Sequence, residues 1–424
     1  MRSISYALLA LLFASTATSS TIGYKKLGQF NHPSPAFIKI AKFPGQKDSM
    51  LISQFGVFGK GKVSVIPNIG DKVASGDFKN MGAAELSDVF TWPNNVDVVP
   101  PEVFGEGVNA ITVPDGFLVP FHSNGEVYVI TTDPADISKA QHVYQLTKQK
   151  SGFFYHLGQW VDLNGDGRLD FLTARSNAKA NQGELVWLEH PEGGLQQTPW
   201  NEHIITTGPD VVFQAHEFKE YPESYIIFSA EFFSHKLQVY QISKNGGKVM
   251  NQALIDGTLD QVYSVQYLDI DGDGKHELLV NNHETDNKKA GVFLFDVPTD
   301  LFKGNYTRKT IASGFKNAFS LTVPNMCPGF PYAVYPQASN QQGRAHILIA
   351  GDGDYSAHLL VPTTDDTLFQ RTLIKNLGGT VGSITYGDSN GNGWLEFYVP
   401  NYDKSYVEVY EFYDTSVSTG FLTE

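Results

Sequence analysis

A single cysteine, Cys327, in 424 residues excludes an intramolecular disulfide. Charge is also sparse. Only 18 % of the residues are charged, and the basic ones are the minority, 31 Lys and Arg against 45 Asp and Glu. A net charge of −14 leaves no basic face for a nucleic-acid backbone or an anionic membrane surface, so neither is expected as a partner. Long apolar runs are missing beyond the N-terminus, so no membrane span is expected. Long amphipathic helices are missing from the rest of the chain as well. What is plentiful is turn and strand material: 40 Gly, 20 Tyr and 29 Phe. Aromatic and β-branched runs bounded by Gly, Asn, Asp or Pro predict an all-β protein.

The first twenty residues read differently from the rest. Arg2 precedes the apolar run from Ala7 to Ala14, and small or hydroxylated residues follow through Ser20. That layout predicts a signal peptide over 1–20, cut near Ser19 or Ser20, and hence a secreted, extracellular protein. Residues 21–424 are expected to form a single domain. Without disulfides, an exported chain needs rigidity from a large core or a bound metal. Cys327 is expected to be a small buried apolar residue. Asn305-Tyr306-Thr307 is a glycosylation sequon, which makes Asn305 the expected glycan site on a surface loop.

A phrase recurs along the chain: an apolar strand, a polar loop, then a second strand. It begins near Met50, Gly116, Leu169, Tyr225, Glu277, His346 and Glu396, at intervals of roughly 50 to 70 residues. Repeats of this length with several short strands predict a seven-bladed β-propeller. One small sheet cannot bury both of its faces alone; seven packed in a ring cover one another.

Three acidic nonapeptides carry the most specific chemistry. They are Asp162-Leu-Asn164-Gly-Asp166-Gly-Arg168-Leu-Asp170, Asp269-Ile-Asp271-Gly-Asp273-Gly-Lys275-His-Glu277 and Asp388-Ser-Asn390-Gly-Asn392-Gly-Trp394-Leu-Glu396. Side-chain oxygens at positions 1, 3, 5 and 9, with the main-chain carbonyl of Arg168, Lys275 or Trp394 at position 7, would wrap one hard cation such as Ca²⁺. An EF-hand is excluded. Its bidentate Glu belongs at position 12, where this chain has Thr173, Val280 and Val399, and the flanks read as strands. Two to three structural Ca²⁺ ions are expected, in alternate blades. Ligand charge ranks the 269–277 loop tightest and the 388–396 loop weakest. Asp352-Gly353-Asp354 imitates such a loop but lies out of phase with the three.

The loops and the strands after them resemble FG-GAP/VCBS repeats, which build the propellers of integrin α-subunits, some fungal lectins and several secreted carbohydrate-active enzymes. The resemblance implies a seven-bladed propeller with Ca²⁺ between the first two strands of a blade. It does not fix a function, because that fold serves adhesion, lectin and lyase roles alike.

The strand after each loop should end on the opposite face. Aligned strand ends place Phe55, His122, Ser176, Glu231, His283, Asp352 and Tyr402 there, preceded by positions that include Gln54 and Arg175. Two readings follow. In the first, a monomeric binding module recognises a glycan or an extracellular protein, with Gln54, Glu231, Asp352 and Tyr402 as ligand-binding candidates and aromatic rings stacking on sugar. In the second, a polysaccharide lyase or sugar dehydratase uses His122, Tyr155, His156, Arg175 and His283. There a His or Tyr would abstract the proton and Arg175 would neutralise a uronate. The seven rim positions differ chemically from one another, which favours one asymmetric site.

Overall fold

The computed structural model describes residues 22–56, 59–116, 124–148, 150–177, 179–319, 325–364 and 368–417. The expected signal peptide and His122 lie outside them. Strand β1 (Ile22–Asn31) comes first in the chain but belongs to the last blade. Blade 1 is β2–β5 (Pro35–Ala41, Ser49–Phe55, Lys60–Ile66, Ala84–Thr91), with a helix, α1 (Ile69–Ser75), between its third and fourth strands. Blade 2 is β6–β9 (Asp97–Val98, Asn109–Pro114, Val127–Asp133, Asp136–Gln145). Blade 3 is β10–β13 (Phe154–Val161, Asp170–Asn177, Gln182–Glu189, Asn201–Thr207). Blade 4 is β14–β17 (Val212–Glu217, Ser224–Glu231, Lys236–Ser243, Val249–Asp256). Blade 5 is β18–β21 (Val262–Leu268, Glu277–Asn282, Gly291–Asp296, Thr307–Ser313). Blade 6 is β22–β25 (Pro331–Val334, His346–Ala350, Ser356–Pro362, Phe369–Asn376). Blade 7 is β26–β28 (Thr385–Gly387, Glu396–Asn401, Tyr406–Asp414), completed on its outer edge by β1.

The chain is therefore an all-β, seven-bladed propeller whose ring is closed by its own N-terminal strand. β1 pairs antiparallel with β28 from Ile22 opposite Asp414 to Asn31 opposite Tyr406. On the inner side, Ser383 Oγ accepts the Ile38 amide at 3.0 Å and Thr385 Oγ1 accepts the Ile40 amide at 2.9 Å, joining blade 7 to blade 1. α1 seals this seam from outside by burying Ile69 and Val73 beside Phe30 and Tyr398.

The core is a set of seams, one between each pair of neighbouring blades, with no single centre. Burial follows from this. The second strands β15, β19 and β27 are buried at every residue because a blade covers each face. The fourth strands β13, β17 and β25 are mostly exposed. Cys327 is fully buried, and that burial pushes its thiol up to about 12, so it is an inert packing residue. Among the described residues no helix is long and apolar enough to cross a membrane.

Six of the seven repeat starts fall within one residue of a second strand. The exception is blade 2, whose second strand is β7, ahead of Gly116. Gly105 and Gly107 before it and Gly116 after it cut Asn109–Pro114 out as the strand, with Pro114 as its last residue. The apolar stretch that begins at Gly116 lies, from 117 to 123, outside the described residues.

Candidate functional site

The three acidic nonapeptides each join the first strand of a blade to the second, in blades 3, 5 and 7, and share one hydrogen-bond scaffold. The position-1 carboxylate accepts the position-6 amide: Gly167 to Asp162 at 3.0 Å, Gly274 to Asp269 at 3.0 Å, Gly393 to Asp388 at 3.1 Å. The position-3 oxygen accepts the position-5 amide, as in Asn164 from Asp166, Asp271 from Asp273 and Asn390 from Asn392. The position-9 carboxylate reaches back to the position-2 amide: Asp170 from Leu163, Glu277 from Ile270 and Glu396 from Ser389. Both glycines of each loop have positive φ, from 75° at Gly165 to 92° at Gly393, which a side chain would resist. The same backbone turn thus recurs three times.

The 269–277 loop gathers carboxylates as a cation site would. Carboxylate oxygens of Asp269, Asp271 and Asp273 lie within 4.8 Å of one another. In the third loop, Asp388 Oδ1 and Glu396 Oε1 are buried with no hydrogen-bond partner among the described residues, a costly state for a carboxylate unless a cation meets it. Burial, reinforced by Asp271, Asp269 and Asp273, pushes Glu277 up to about 7. Two details qualify the order expected from charge. Arg168 pairs with Asp166 and so occupies a ligand of the first loop. The amides of Asn390 and Asn392 both donate to Glu411, which brings a further carboxylate to the third.

The opposite face carries a cavity of about 270 Å³ at the mouth of the central channel. Blades 1, 5, 6 and 7 build it, so it is single and asymmetric. Of the aligned strand ends, Phe55, His283, Asp352 and Tyr402 line it together. Two aromatic stacks face it. Phe55 lies parallel to Trp92 with centroids 5.1 Å apart. Tyr263 is sandwiched between His283 at 4.5 Å and Phe330 at 4.6 Å. His283 Nε2 is 3.0 Å from Asp352 Oδ2. Trp92 and Asp352 both have left-handed backbones, φ 45° and 52°. For a bulky Trp that conformation is strained, and strain of this kind collects at ligand sites. The indole is held by its Nε1–H donating to the Gly56 carbonyl at 2.8 Å.

The remaining rim candidates are elsewhere. Arg175 is fully buried, its guanidinium bound by Glu184 and Glu202, and is not presented to the face. Tyr155 is buried beside it and donates to Glu202 at 2.9 Å. Glu231 is buried within blade 4, accepting from Tyr240 at 2.7 Å and Gln238 at 2.9 Å; burial pushes it up to about 7. Ser176 donates to the Asp210 carbonyl. Gln54 precedes Phe55 on β3 and so projects from the other face of the strand. His156 is buried among Phe37, Tyr263 and Phe330 in the channel wall, and burial holds it down at about 3. An elimination that relied on Arg175 would need a cation free to meet a carboxylate, and this one is committed.

Strand-end alignment missed Trp92, Phe37, Tyr263 and Phe330, since they sit where first strands begin or a fourth strand ends. The available signal was an aromatic residue near the start of the first strand in blades 1, 5 and 6.

No family model matches the chain, and no curated protein matches it either. Among solved structures it is similar to the propeller of Dos1, at 13 % identity and a TM-score of 0.48, covering 92 % of this chain and 95 % of that one. It is also similar to the hydrazine synthase of Kuenenia stuttgartiensis, at 14 % identity and a TM-score of 0.48, covering 91 % and 97 %. At these values the likenesses add nothing to what the seven blades themselves show.

Proposed function

We propose that the chain is a secreted, calcium-stabilised propeller of the FG-GAP/VCBS type that binds a carbohydrate, free or carried by an extracellular partner, in the mouth cavity opposite the loops. The observation that carries this reading is the cavity itself. It combines half-buried aromatic rings, which stack on the C–H face of a sugar, with a carboxylate to receive hydroxyl or amine protons. Its volume, about 270 Å³, is at the small end for ligand pockets and suits one sugar ring. Ca²⁺ would be held by the side chains at positions 1, 3, 5 and 9 of each loop, and would supply the rigidity that absent disulfides do not. Asn305 is exposed on the link between β20 and β21, where a glycan would meet solvent.

A glycan array probed with the full chain tests the reading. Binding to a defined glycan set is expected, with loss in Trp92→Ala at an unchanged melting temperature. An array with no glycan retained by the wild type, in calcium, would sink it.

A further inference from the structure

Resting on the carbohydrate reading above, we propose that the mouth cavity selects sugars bearing a free amine, glucosamine-type units, over N-acetylated, neutral or acidic ones. Three observations converge. First, the permanent charge in the cavity is negative. Among the described lining residues Asp352 is the only carboxylate, with its side chain 29 % exposed, none is Lys or Arg, and the one basic group is the His283 imidazole beside Asp352. A uronate or sulfated sugar would find no Lys or Arg among the described lining residues to meet it. An ammonium would find a carboxylate, and charge-assisted hydrogen bonds of this kind are about twice as strong as neutral ones. The net charge of −14 adds a field of the same sign.

Second, the lining offers few free hydrogen-bonding groups to a neutral sugar. Trp92 Nε1–H is spent on Gly56, and the Tyr402 hydroxyl donates to the Phe55 carbonyl at 3.3 Å. The Thr380 hydroxyl donates to Asp403. Ser383 Oγ receives the Ile38 amide. The hydroxyls are common to all these sugars, so the difference rests on the amine position, where an acetamide adds a carbonyl and a methyl that find few free partners and are costly to bury. An ammonium at that position instead meets the Asp352 carboxylate.

Third, the aromatic faces suit a cation as well as a sugar. Rings such as Trp92 and Phe330, half-buried at the cavity wall, present π faces that attract an ammonium within about 6 Å. His283 stacks on Tyr263, and its Nε2 lies 3.0 Å from Asp352 Oδ2 without hydrogen-bond geometry, so the carboxylate sits beside the aromatic wall. Asp352 is positioned by a left-handed backbone that Asp and Asn both tolerate, so the carboxylate can be changed without disturbing the turn.

The test is calorimetric titration of the full chain in calcium, at a pH where amines are protonated. The probes are a glucosamine tetramer, its N-acetylated counterpart, a galacturonate tetramer and tetramethylammonium. The glucosamine tetramer should bind at least about tenfold tighter than the acetylated one, and galacturonate should not bind. Asp352→Asn, confirmed as folded by its melting curve, should bring the first two to within about twofold. Acetylated or acidic sugar bound as tightly as the amine overturns this inference and leaves the carbohydrate reading standing. Tetramethylammonium bound as tightly as the tetramer also overturns it, since the cavity would then be a cage for bare cations. If no tetramer binds and no array glycan is retained, the carbohydrate reading itself has failed.

Discussion

Arg175 illustrates what a side chain's surroundings do to its chemistry. The residue is fully buried, and its charge is met by Glu184 and Glu202 with Tyr155 alongside. Removing the cation would leave two carboxylates facing each other with little water, and breaking such a pair costs about 3–5 kcal/mol. Arg175→Ala is therefore expected to lower the melting temperature by several degrees and to leave the mouth cavity's ligand preference unaltered in whatever protein folds. A variant as stable as the wild type would show that the cluster is not structural. The same residue marks the limit of reading sites from sequence. Strand ends can be aligned from hydrophobic pattern, and that brought Phe55, His283, Asp352 and Tyr402 to one place. Whether a strand-end side chain enters the channel mouth or the neighbouring blade depends on the local twist. That is why Arg175 and Glu231 vanished into seams. Trp92 was missed for a different reason: its backbone conformation is a tertiary outcome, and no local propensity favours a Trp at φ 45°.

At the level of elements, the nine-residue loops were legible because their chemistry is local. Glycines at positions 4 and 6 and oxygens at 1, 3, 5 and 9 specify the turn whatever surrounds it. The blades were legible because a second strand covered on both faces is apolar at nearly every position. Helix α1 was not legible, since seven residues carry too little periodicity. It has a specific packing role. A Cβ on Gly70 would lie 1.6 Å from the Ser389 carbonyl oxygen, inside the third acidic loop. The glycine thus lets α1 press against that loop at the seam where the ring closes. Gly70→Ala should force the two apart, lower the melting temperature and, on the proposed calcium reading, weaken binding at the 388–396 loop while sparing the loops of blades 3 and 5. Calcium titrations of the variant would check it. Unchanged stoichiometry and affinity, with an unchanged melt, would mean that the contact between helix and loop carries no energy.

At the scale of the whole molecule, the ring stores its acidity in places where protons matter. Burial pushes Asp115, Asp210 and Glu231 each up to about 7, whereas in the unfolded chain they would titrate near 3.8 to 4.5. The folded chain therefore holds protons that the unfolded chain has released. The stability these groups contribute is complete below their unfolded values and is lost as the pH rises through about 7. Buried histidines act the other way. His156, held down at about 3, and His216 and His346, held at about 4, take up protons only on unfolding, which favours the unfolded chain below its ordinary histidine value of 6.5. Above pH 7 that opposing effect has faded, so in EDTA the melting temperature should fall between pH 7 and 8. On the proposed calcium reading, the ion should oppose the trend. Its ligands must be ionised, so the stabilisation it gives by binding only the folded ring, about 2.7 kcal/mol at a hundredfold excess over Kd, grows with pH. Melts with and without calcium should then diverge steadily from pH 6 to 8, with chelation costing several degrees at the upper end. Parallel curves would separate the acidic loops from any bound ion. An EDTA curve that rises between pH 7 and 8 would mean that the buried carboxylates are already ionised in the folded ring.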